Sequence, residues 1–256
     1  MNKITIIGAG NMGGAAAMGF SKAVSNGCLQ AEITVTAAHQ ASLARFENLG
    51  LHTSLDNLSA ASGAAMLIIA VKPWLVKPVL TQIHSVLQGV ILVSFAAGIS
   101  SDELMGLAGG AAAVYKVIPN LAAEVCESMT FVTKLSGSED SDKRVKAVFD
   151  SIGKTRFVDD RQLSAATMVA SCGTAYALRY IRASVEGGVE LGMYPKDALE
   201  AVLQTVKGAA DLLESRGTHP EQEIDRVTTP GGITIRGLNS MEENGFTNAV
   251  IKGLKI

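Results

Sequence analysis

The first half of the chain alternates short apolar runs with segments whose apolar positions recur every three or four residues. The short runs predict strands, and the recurring segments predict helices. This alternation is typical of an α/β fold. The predicted strands are Lys3–Ile7, Ile33–Thr36, Ala65–Ala70, Val90–Ser94, Ala112–Val117, Met129–Thr133 and Thr155–Val158. The predicted helices include Met12–Ser25, Ala41–Asn48 and Ser141–Ser151, and a capping box of Ser100 and Glu103 starts another.

From about Asp159 the β-branched runs nearly vanish and helical patterns take over. We therefore predict two domains, an α/β domain over residues 1–158 and an all-α domain over residues 159–256. The stretch Gln162–Leu191 is long enough to form one helix. It is apolar over most of its circumference, apart from a stripe of Arg179, Arg182 and Glu186. A helix of this kind must be buried on several sides, and we expect a partner subunit to cover it.

Local signals mark further helix ends in the second half. Pro195 predicts a helix start, because its fixed φ suits the first helical position. Gly217 predicts a helix end. Thr218 and Glu221 have the spacing of a capping box, which predicts that the next helix starts at Thr218.

Composition and charge narrow the classes of function. The chain has 256 residues, of which 48% are hydrophobic and 18% are charged, and its formal net charge is -2. Bulk charge therefore gives no attraction to nucleic acid or to an anionic membrane. No apolar stretch is long enough for a transmembrane helix, and we expect a cytoplasmic protein. The three cysteines and four histidines are far apart in the sequence, which predicts no metal site.

A glycine-rich segment follows the first predicted strand and opens the first predicted helix. It has the pattern G-x-G-x-x-G and consists of Gly8, Ala9, Gly10, Asn11, Met12 and Gly13. In this context the glycines allow the backbone to approach a pyrophosphate, and the helix N-terminus supplies free N–H groups. The segment therefore predicts a dinucleotide site. The alternative is an ordinary glycine-rich turn between a strand and a helix.

The end of the second predicted strand bears on the choice of cofactor. NAD enzymes usually have an Asp or Glu there for the ribose diol, whereas this chain has Ala37, Ala38 and His39. His39 and Ser42 can hydrogen-bond a 2′-phosphate, and Arg45 is near enough in sequence to reach one. We therefore predict NADPH, with NADH as the alternative. His39 is otherwise a solvated loop residue.

Two more turns follow predicted strands at the edge of the sheet where ligands bind. The first is formed by Ala70, Val71, Lys72 and Pro73, and the second by Ala96, Ala97 and Gly98. Their small residues would let the backbone approach the cofactor, and Lys72 could contact it. Both turns can equally be tight connections without a ligand.

A second informative segment lies in the helical half. It runs from Thr228 to Ile235 and includes Thr229, Gly231, Gly232, Ile233 and Thr234. Two glycines after a proline, placed before a helix, expose amides that can hold a carboxylate without an arginine. Thr234 adds a hydroxyl group. The alternative is a structural turn between two helices.

These segments together resemble pyrroline-5-carboxylate reductase, over essentially the whole chain. The most specific match is Val227–Gly232, and Ile118–Asn120, Gly173–Tyr176 and Gly188–Gly192 also match. The resemblance implies an N-terminal Rossmann-type doubly wound sheet followed by an all-α dimerisation domain. It implies homodimers and larger assemblies such as a decamer. It further implies hydride transfer from NADPH to the C=N bond of 1-pyrroline-5-carboxylate, giving L-proline in the last step of proline biosynthesis.

The resemblance also implies roles for individual residues. The substrate carboxylate would lie on amides near Gly232 and Ile233, with the hydroxyl of Thr234 close to the ring nitrogen. Asn57 matches a position that contacts the ribose phosphate of NADPH. Asp160 falls where the family has an acid near the substrate. The chain departs from the pattern at several positions: Leu121 and Ala122 replace Thr-Pro, Thr174 replaces Pro, Lys116 replaces Arg, and Thr229 replaces Ser.

Two other functions share parts of this pattern. An NADP-dependent dehydrogenase of the 3-hydroxyacid or 6-phosphogluconate type would have a similar organisation, with a catalytic lysine on the long helix. The chain has no lysine between Asp159 and Gly192, which argues against that chemistry. A non-catalytic NADP-sensing protein would need no carboxylate site.

Overall fold

The computed structural model describes residues 2–255, and their contacts divide the chain into two compact units. The first unit extends to Thr174 and the second begins at Ala175. The predicted fold class is confirmed: the first unit contains a largely parallel sheet, and the second consists of helices.

The first unit is built on an eight-stranded sheet with the order β3-β2-β1-β4-β5-β6-β7-β8. Strands β1 to β6 run parallel, β7 is antiparallel to β6, and β8 is parallel to β7. The strand order reverses between β1 and β4, and this is where open α/β sheets bind ligands, beyond the carboxyl ends of the strands. The strands are Asn2–Ile7 (β1), Ala31–Thr36 (β2), His52–Ser54 (β3), Met66–Ile69 (β4), Ile91–Ser94 (β5), Ala113–Ile118 (β6), Ser128–Ser136 (β7) and Gly153–Phe157 (β8).

Helices cover both faces of this sheet. Neighbouring residues of one strand point to opposite faces: Ile6 belongs to one apolar cluster with Phe20 and Phe149, and Ile7 to another with Leu80 and Leu104. Both clusters exclude water almost completely, as expected for a sheet buried on its two sides. The helices of this part are Asn11–Ser25 (α1), Asn57–Ala61 (α2), Pro73–Gln82 (α3), Ser101–Leu107 (α4) and Glu139–Asp150 (α5).

The helix predicted over Ala41–Asn48 is wrong. The structure has two 3-10 turns there, Gln40–Ser42 and Ala44–Phe46. Leu43 and Phe46 are the buried residues of this segment, three positions apart. That spacing places both on one side of a 3-10 turn, so the segment is anchored without a full α-helix.

The single helix predicted over Gln162–Leu191 is interrupted. Helix α6 covers Asp160–Ala166, a π-turn covers Thr167–Cys172, and helix α7 covers Gly173–Glu190. Two side chains, from Asn120 and Thr174, donate to the carbonyl oxygen of Ala170 at 3.3 and 3.1 Å. Such side-chain bonds accommodate the extra residue in a π-turn, a feature that often occurs at functional sites.

Helix α6 and the π-turn pack against β7. The compact sheet unit consequently extends 16 residues past the predicted division at 158/159, as far as Thr174. The division into functional domains at 158/159 stays a prediction.

The second unit continues with helices Pro195–Arg216 (α8), Pro220–Val227 (α9), Ile233–Glu243 (α10) and Phe246–Leu254 (α11). Pro195 starts α8, and Gly217 ends it with a left-handed φ of 64°, as predicted. The capping box of α9 is shifted by one residue from the prediction. The N-cap is His219, whose Nδ1 accepts from the amide of Glu221, and Gln222 accepts the amide of His219 in return. Pro220 takes the first helical position, so the residue before it becomes the cap.

From Ala175 to residue 255 the only buried residue is Ala198. Large apolar side chains remain exposed along these helices, among them Leu178, with 59% of its surface accessible, and Leu191, with 88%. Large apolar side chains exposed in this number are typical of an interaction surface, in agreement with the expected partner subunit. In the part of the chain that the structure describes, no helix is both long and apolar enough to span a membrane.

Candidate functional site

The glycine-rich turn lies directly after β1, at the point where the strand order reverses. Gly8 has a φ of +113°, and a Cβ built on it would lie 2.6 Å from the carbonyl oxygen of Ala70. A Cβ on Gly13 would lie only 2.0 Å from the carbonyl oxygen of Gly8. Both positions therefore require glycine, which allows the close packing of helix and strand in dinucleotide-binding folds. A Cβ on Gly10 would meet nothing within 4 Å, so its outer side is open to a ligand.

The start of α1 offers free donors at this turn. Gly10 is the N-cap, no side chain caps the helix, and its first turn contains no acidic residue. The amides of the first helical turn have no acceptor within a helix, and together with the helix dipole they favour an anion. The turn thus fits the diphosphate of a dinucleotide.

Asn57 is fixed beside the end of β2. The hydroxyl of Thr36 donates to Asn57 Oδ1 at 2.6 Å, and Asn57 Nδ2 donates to Gln82 at 2.9 Å. The neighbouring acid, Asp56, accepts from the amides of Leu58 and Ser59 as the N-cap of α2. Its carboxylate is therefore already engaged in a structural role.

Ala38 and His39 lie in the exposed loop after β2, and His39 has an extended backbone. Arg45, which is near enough in sequence to reach a 2′-phosphate, contacts the glycine-rich turn in this structure. Its guanidinium donates through Nη2 to the carbonyl oxygens of Ala9 and Gly10 on the glycine-rich turn. One feature of the sequence could have indicated this contact: a further glycine, Gly14, directly follows the motif.

The two other predicted turns lie side by side at the same edge of the sheet. Lys72 is the extended N-cap of α3, and Pro73 occupies the first helical position. A Cβ on Gly98, which has a φ of +96°, would approach Pro73 Cγ to 3.9 Å. The structure thus brings three turns to the carboxyl ends of β1, β4 and β5, with the predicted cofactor residues Gly8, Ala9, Gly10, Asn11, Met12, Gly13, Ala70, Val71, Lys72, Pro73, Ala96, Ala97 and Gly98.

Asp160 belongs to a polar cluster that the sequence did not reveal. Ser101 donates to Asp160 Oδ2 at 2.7 Å, and Lys116 Nζ lies 3.0 Å from Asp160 Oδ1. Ser101 and Asp160 line a cavity of about 610 Å³. The hydrogen bond from Ser101, followed by the one from Lys116, holds the pKa of Asp160 below its usual value. The carboxylate is therefore charged at neutral pH.

Asp160→Asn is expected to lower the melting temperature at neutral pH and to lose that effect in acid. Because the folded-state pKa is depressed, the carboxylate stabilises the fold above its unfolded pKa of about 4. This stabilisation disappears as the pH falls through the lower folded-state value. The effect is small because half of the side chain is exposed. Thermal unfolding of both proteins between neutral pH and pH ~3 measures it.

Asp102→Asn is the matched control for this experiment. Asp102 lines the same cavity, but its carboxylate has no hydrogen bond or ion pair to any residue from 2 to 255. Its substitution should leave the melting temperature nearly unchanged over the whole pH range of the experiment. If the difference in melting temperature between wild type and Asp160→Asn persisted unchanged into acid, the role of the charged carboxylate would be refuted.

The second glycine segment forms a tight turn before α10. The amide of Gly232 donates to the carbonyl oxygen of Thr229 at 2.9 Å, and Gly231 has a φ of +72°. A Cβ on Gly232 would lie 2.5 Å from the Thr229 hydroxyl, which therefore sits over the start of the helix. Since the turn engages the amide of Gly232, the first free amides belong to Ile233 and Thr234.

Thr234 is exposed in the first turn of α10, and its hydroxyl has no hydrogen-bond partner in the described part of the chain. Ile233 beside it is 80% exposed. Free amides and a free hydroxyl at a helix N-terminus suit a small carboxylate that also carries a hydrogen-bonding group. This segment belongs to the helical unit, and the three cofactor turns belong to the sheet unit.

Known families match both parts of the chain. Residues 160–255 match the family described as pyrroline-5-carboxylate reductase dimerisation, and residues 3–98 match the family described as NADP oxidoreductase coenzyme F420-dependent. Pyrroline-5-carboxylate reductase of Pisum sativum is 36% identical over 97% of this chain and 92% of that protein. Pyrroline-5-carboxylate reductase 2 of Dictyostelium discoideum is 34% identical over 98% of this chain and 89% of that protein.

The chain spans about half the length of a further relative, pyrroline-5-carboxylate reductase 1 of Dictyostelium discoideum, with 48% of that protein covered at 34% identity. Among solved structures, Plasmodium falciparum pyrroline carboxylate reductase with NADP bound is similar at a TM-score of 0.89 and 26% identity. The similarity covers 99% of this chain and 94% of that one.

Proposed function

The chain belongs to the pyrroline-5-carboxylate reductase family of NAD(P)H-dependent oxidoreductases, and from this premise we propose that it reduces 1-pyrroline-5-carboxylate to L-proline with NADPH. The observation that carries the proposal is the pair of anion sites. One is the glycine-rich turn of the sheet unit, which fits a dinucleotide diphosphate. The other is the start of α10, which fits a small carboxylate.

NADPH, when bound, supplies the hydride for the imine carbon. The protonated imine of the substrate is already a strong electrophile, so the protein needs no powerful acid. The task left to the side chains is orientation. The hydroxyl of Thr234 would hold the ring nitrogen and, after hydride transfer has converted the iminium to an amine, could pass that amine a proton from water. The amides of Ile233 and Thr234 would receive the carboxylate. Thr229, Gly231 and Gly232 would shape this turn, and Asp160 would lie near the substrate.

The choice of NADPH over NADH is supported by the residues at the end of β2. The loop from Ala37 to Ser42 contains no acid that would repel a 2′-phosphate, and Asp56 is engaged as a helix cap. Asn57, fixed between Thr36 and Gln82, would contact the ribose phosphate, with Ala38 and His39 beside it.

The purified chain should oxidise NADPH when 1-pyrroline-5-carboxylate is added and produce proline in equal amount. The same assay with NADH should give a lower kcat/KM, because the 2′-phosphate contributes binding. Absorbance of the reduced nicotinamide and quantification of proline measure the two sides of the reaction. Binding of NADPH without turnover of the imine would instead favour an NADP-sensing protein.

The helical unit would assemble two copies of the chain, since it matches a dimerisation family and exposes much apolar surface. Dimers that associate further into a decamer are part of this proposal, and sedimentation of the full chain distinguishes the two sizes. A cytoplasmic location is also proposed. It is supported by the cysteines Cys28, Cys126 and Cys172, which are free thiols.

A further inference from the structure

Arg45 hydrogen-bonds to the backbone of the glycine-rich turn, and both lie in the sheet unit. Its backbone is fixed between the buried residues Leu43 and Phe46, and its guanidinium lies 4.8 Å from the ring centre of Phe46. The same Nη2 donates to the carbonyl oxygens of Ala9 and Gly10, the latter at 2.8 Å. Among residues 2–255 Arg45 has no carboxylate partner, so these two carbonyls are its principal polar contacts.

The two carbonyls determine where the amides of the turn point. In a trans peptide unit the C=O and the following N–H point in opposite directions, and the unit is rigid. A donor that holds the carbonyls of Ala9 and Gly10 on one side therefore directs the N–H groups of Gly10 and Asn11 to the other side. The carbonyl of Gly10 also accepts the amide of Gly14 at 2.8 Å, which places it along α1 and away from the open end of the helix.

Gly14 provides the space for this contact. A Cβ on Gly14 would lie 2.0 Å from Arg45 Nη2 and 2.6 Å from Arg45 Cζ. No backbone atom is among its three nearest neighbours, so a methyl group here would displace the flexible guanidinium rather than break the helix. Gly14 lies beyond the G-x-G-x-x-G pattern, which gives no reason for a glycine at this position.

We propose that Arg45 is a positioning residue for the dinucleotide: it aligns the amides of the turn for the diphosphate and is not a ligand of the 2′-phosphate. This inference rests on the proposed function, because it takes the turn to be the NADPH site. Gly14 then contributes indirectly, because it leaves the space that the Arg45 guanidinium occupies. The contribution of Arg45 should be the same for cofactors with and without a 2′-phosphate, because both contain the diphosphate.

The test is calorimetric titration of NADP⁺ and NAD⁺ into the full chain and its variants. Arg45→Ala is expected to weaken both cofactors by about tenfold, or ~1.4 kcal/mol each. Gly14→Ala should weaken both to a similar degree, because its methyl group displaces the guanidinium from the turn. Arg45→Lys should restore part of the affinity, because its ammonium also donates hydrogen bonds. In NADPH kinetics the loss should lie in KM and not in kcat.

The double variant R45A/G14A tests the link between the two residues. Once the guanidinium is gone, none of the three atoms nearest to the methyl group remains, so the double variant should bind both cofactors as Arg45→Ala does. Additive losses would overturn the link. A loss of affinity confined to NADP⁺ would make Arg45 a 2′-phosphate ligand and overturn the proposal. Full affinity for both cofactors in Arg45→Ala, together with a lowered melting temperature, would overturn it as well.

Two other outcomes are also decisive, loss of binding in the wild type and failure of Arg45→Ala to fold. If the wild-type chain binds neither cofactor, the proposed function fails. If the wild type binds both cofactors and Arg45→Ala binds them equally well, only the inference about Arg45 fails. If Arg45→Ala does not fold, Gly14→Ala and Arg45→Lys carry the test, because each retains a cation at position 45. Undiminished affinity in both of these variants would overturn the inference.

Discussion

Replacing Gly13 with alanine is expected to weaken NADPH binding by about a hundredfold or more, a loss of ~3 kcal/mol. The new Cβ would lie 2.0 Å from the carbonyl oxygen of Gly8 and 2.8 Å from Ala70 Cβ. The first of these contacts is to backbone, so the turn between β1 and α1 must open to relieve it. Titration with NADPH, followed by the fluorescence of Trp74, the single tryptophan of the chain, measures the loss.

Gly10→Ala is the matched comparison at the same turn. Its Cβ would meet no atom of the chain within 4 Å, so its melting temperature should stay close to that of the wild type, whereas Gly13→Ala should melt earlier. Its affinity for NADPH should still fall, because the methyl group occupies the open side of the turn. Wild-type affinity in Gly13→Ala would contradict the placement of the dinucleotide.

Thr234→Ala is expected to reduce kcat/KM for 1-pyrroline-5-carboxylate by roughly ten- to a hundredfold, or ~1.5–3 kcal/mol, the usual range for one hydrogen bond to a charged group. The hydroxyl is exposed and bonds to no described residue, so its removal should not disturb the fold. Steady-state kinetics at saturating NADPH measure the effect.

Thr234→Ser is the control, because it keeps the hydroxyl and removes only a methyl group. Its kcat/KM should stay within a few-fold of the wild type. If Thr234→Ala retained the full kcat/KM, the assignment of Thr234 to the ring nitrogen would have to be abandoned.

The parallel sheet and its three ligand-facing turns could be predicted from the sequence because their determinants are local. Continuous apolar runs identify buried strands, and a glycine motif after a strand identifies the turn. Strand β3 escaped prediction because its three residues, His52, Thr53 and Ser54, are polar and leave no periodic pattern. The 3-10 turns around Leu43 were mistaken for a helix because both patterns place apolar residues three apart.

The contacts that organise the site join distant parts of the sequence. Asp160 and Lys116 are 44 positions apart, and Arg45 lies 35 positions from Gly10. No local rule relates such pairs. The π-turn is a similar case, since one of the groups that bond to Ala170 comes from Asn120 on another element. Periodicity alone therefore predicted an uninterrupted helix.

The near absence of buried residues after Ala175 has a consequence for measurements on dilute protein. Ala198 alone cannot offset the conformational entropy of five helices, so the helical unit obtains its missing stability from association. Mass action then makes the apparent stability of that unit rise with the logarithm of chain concentration. Turnover numbers recorded at nanomolar enzyme would report the fraction of assembled chains as well as the speed of the chemical step.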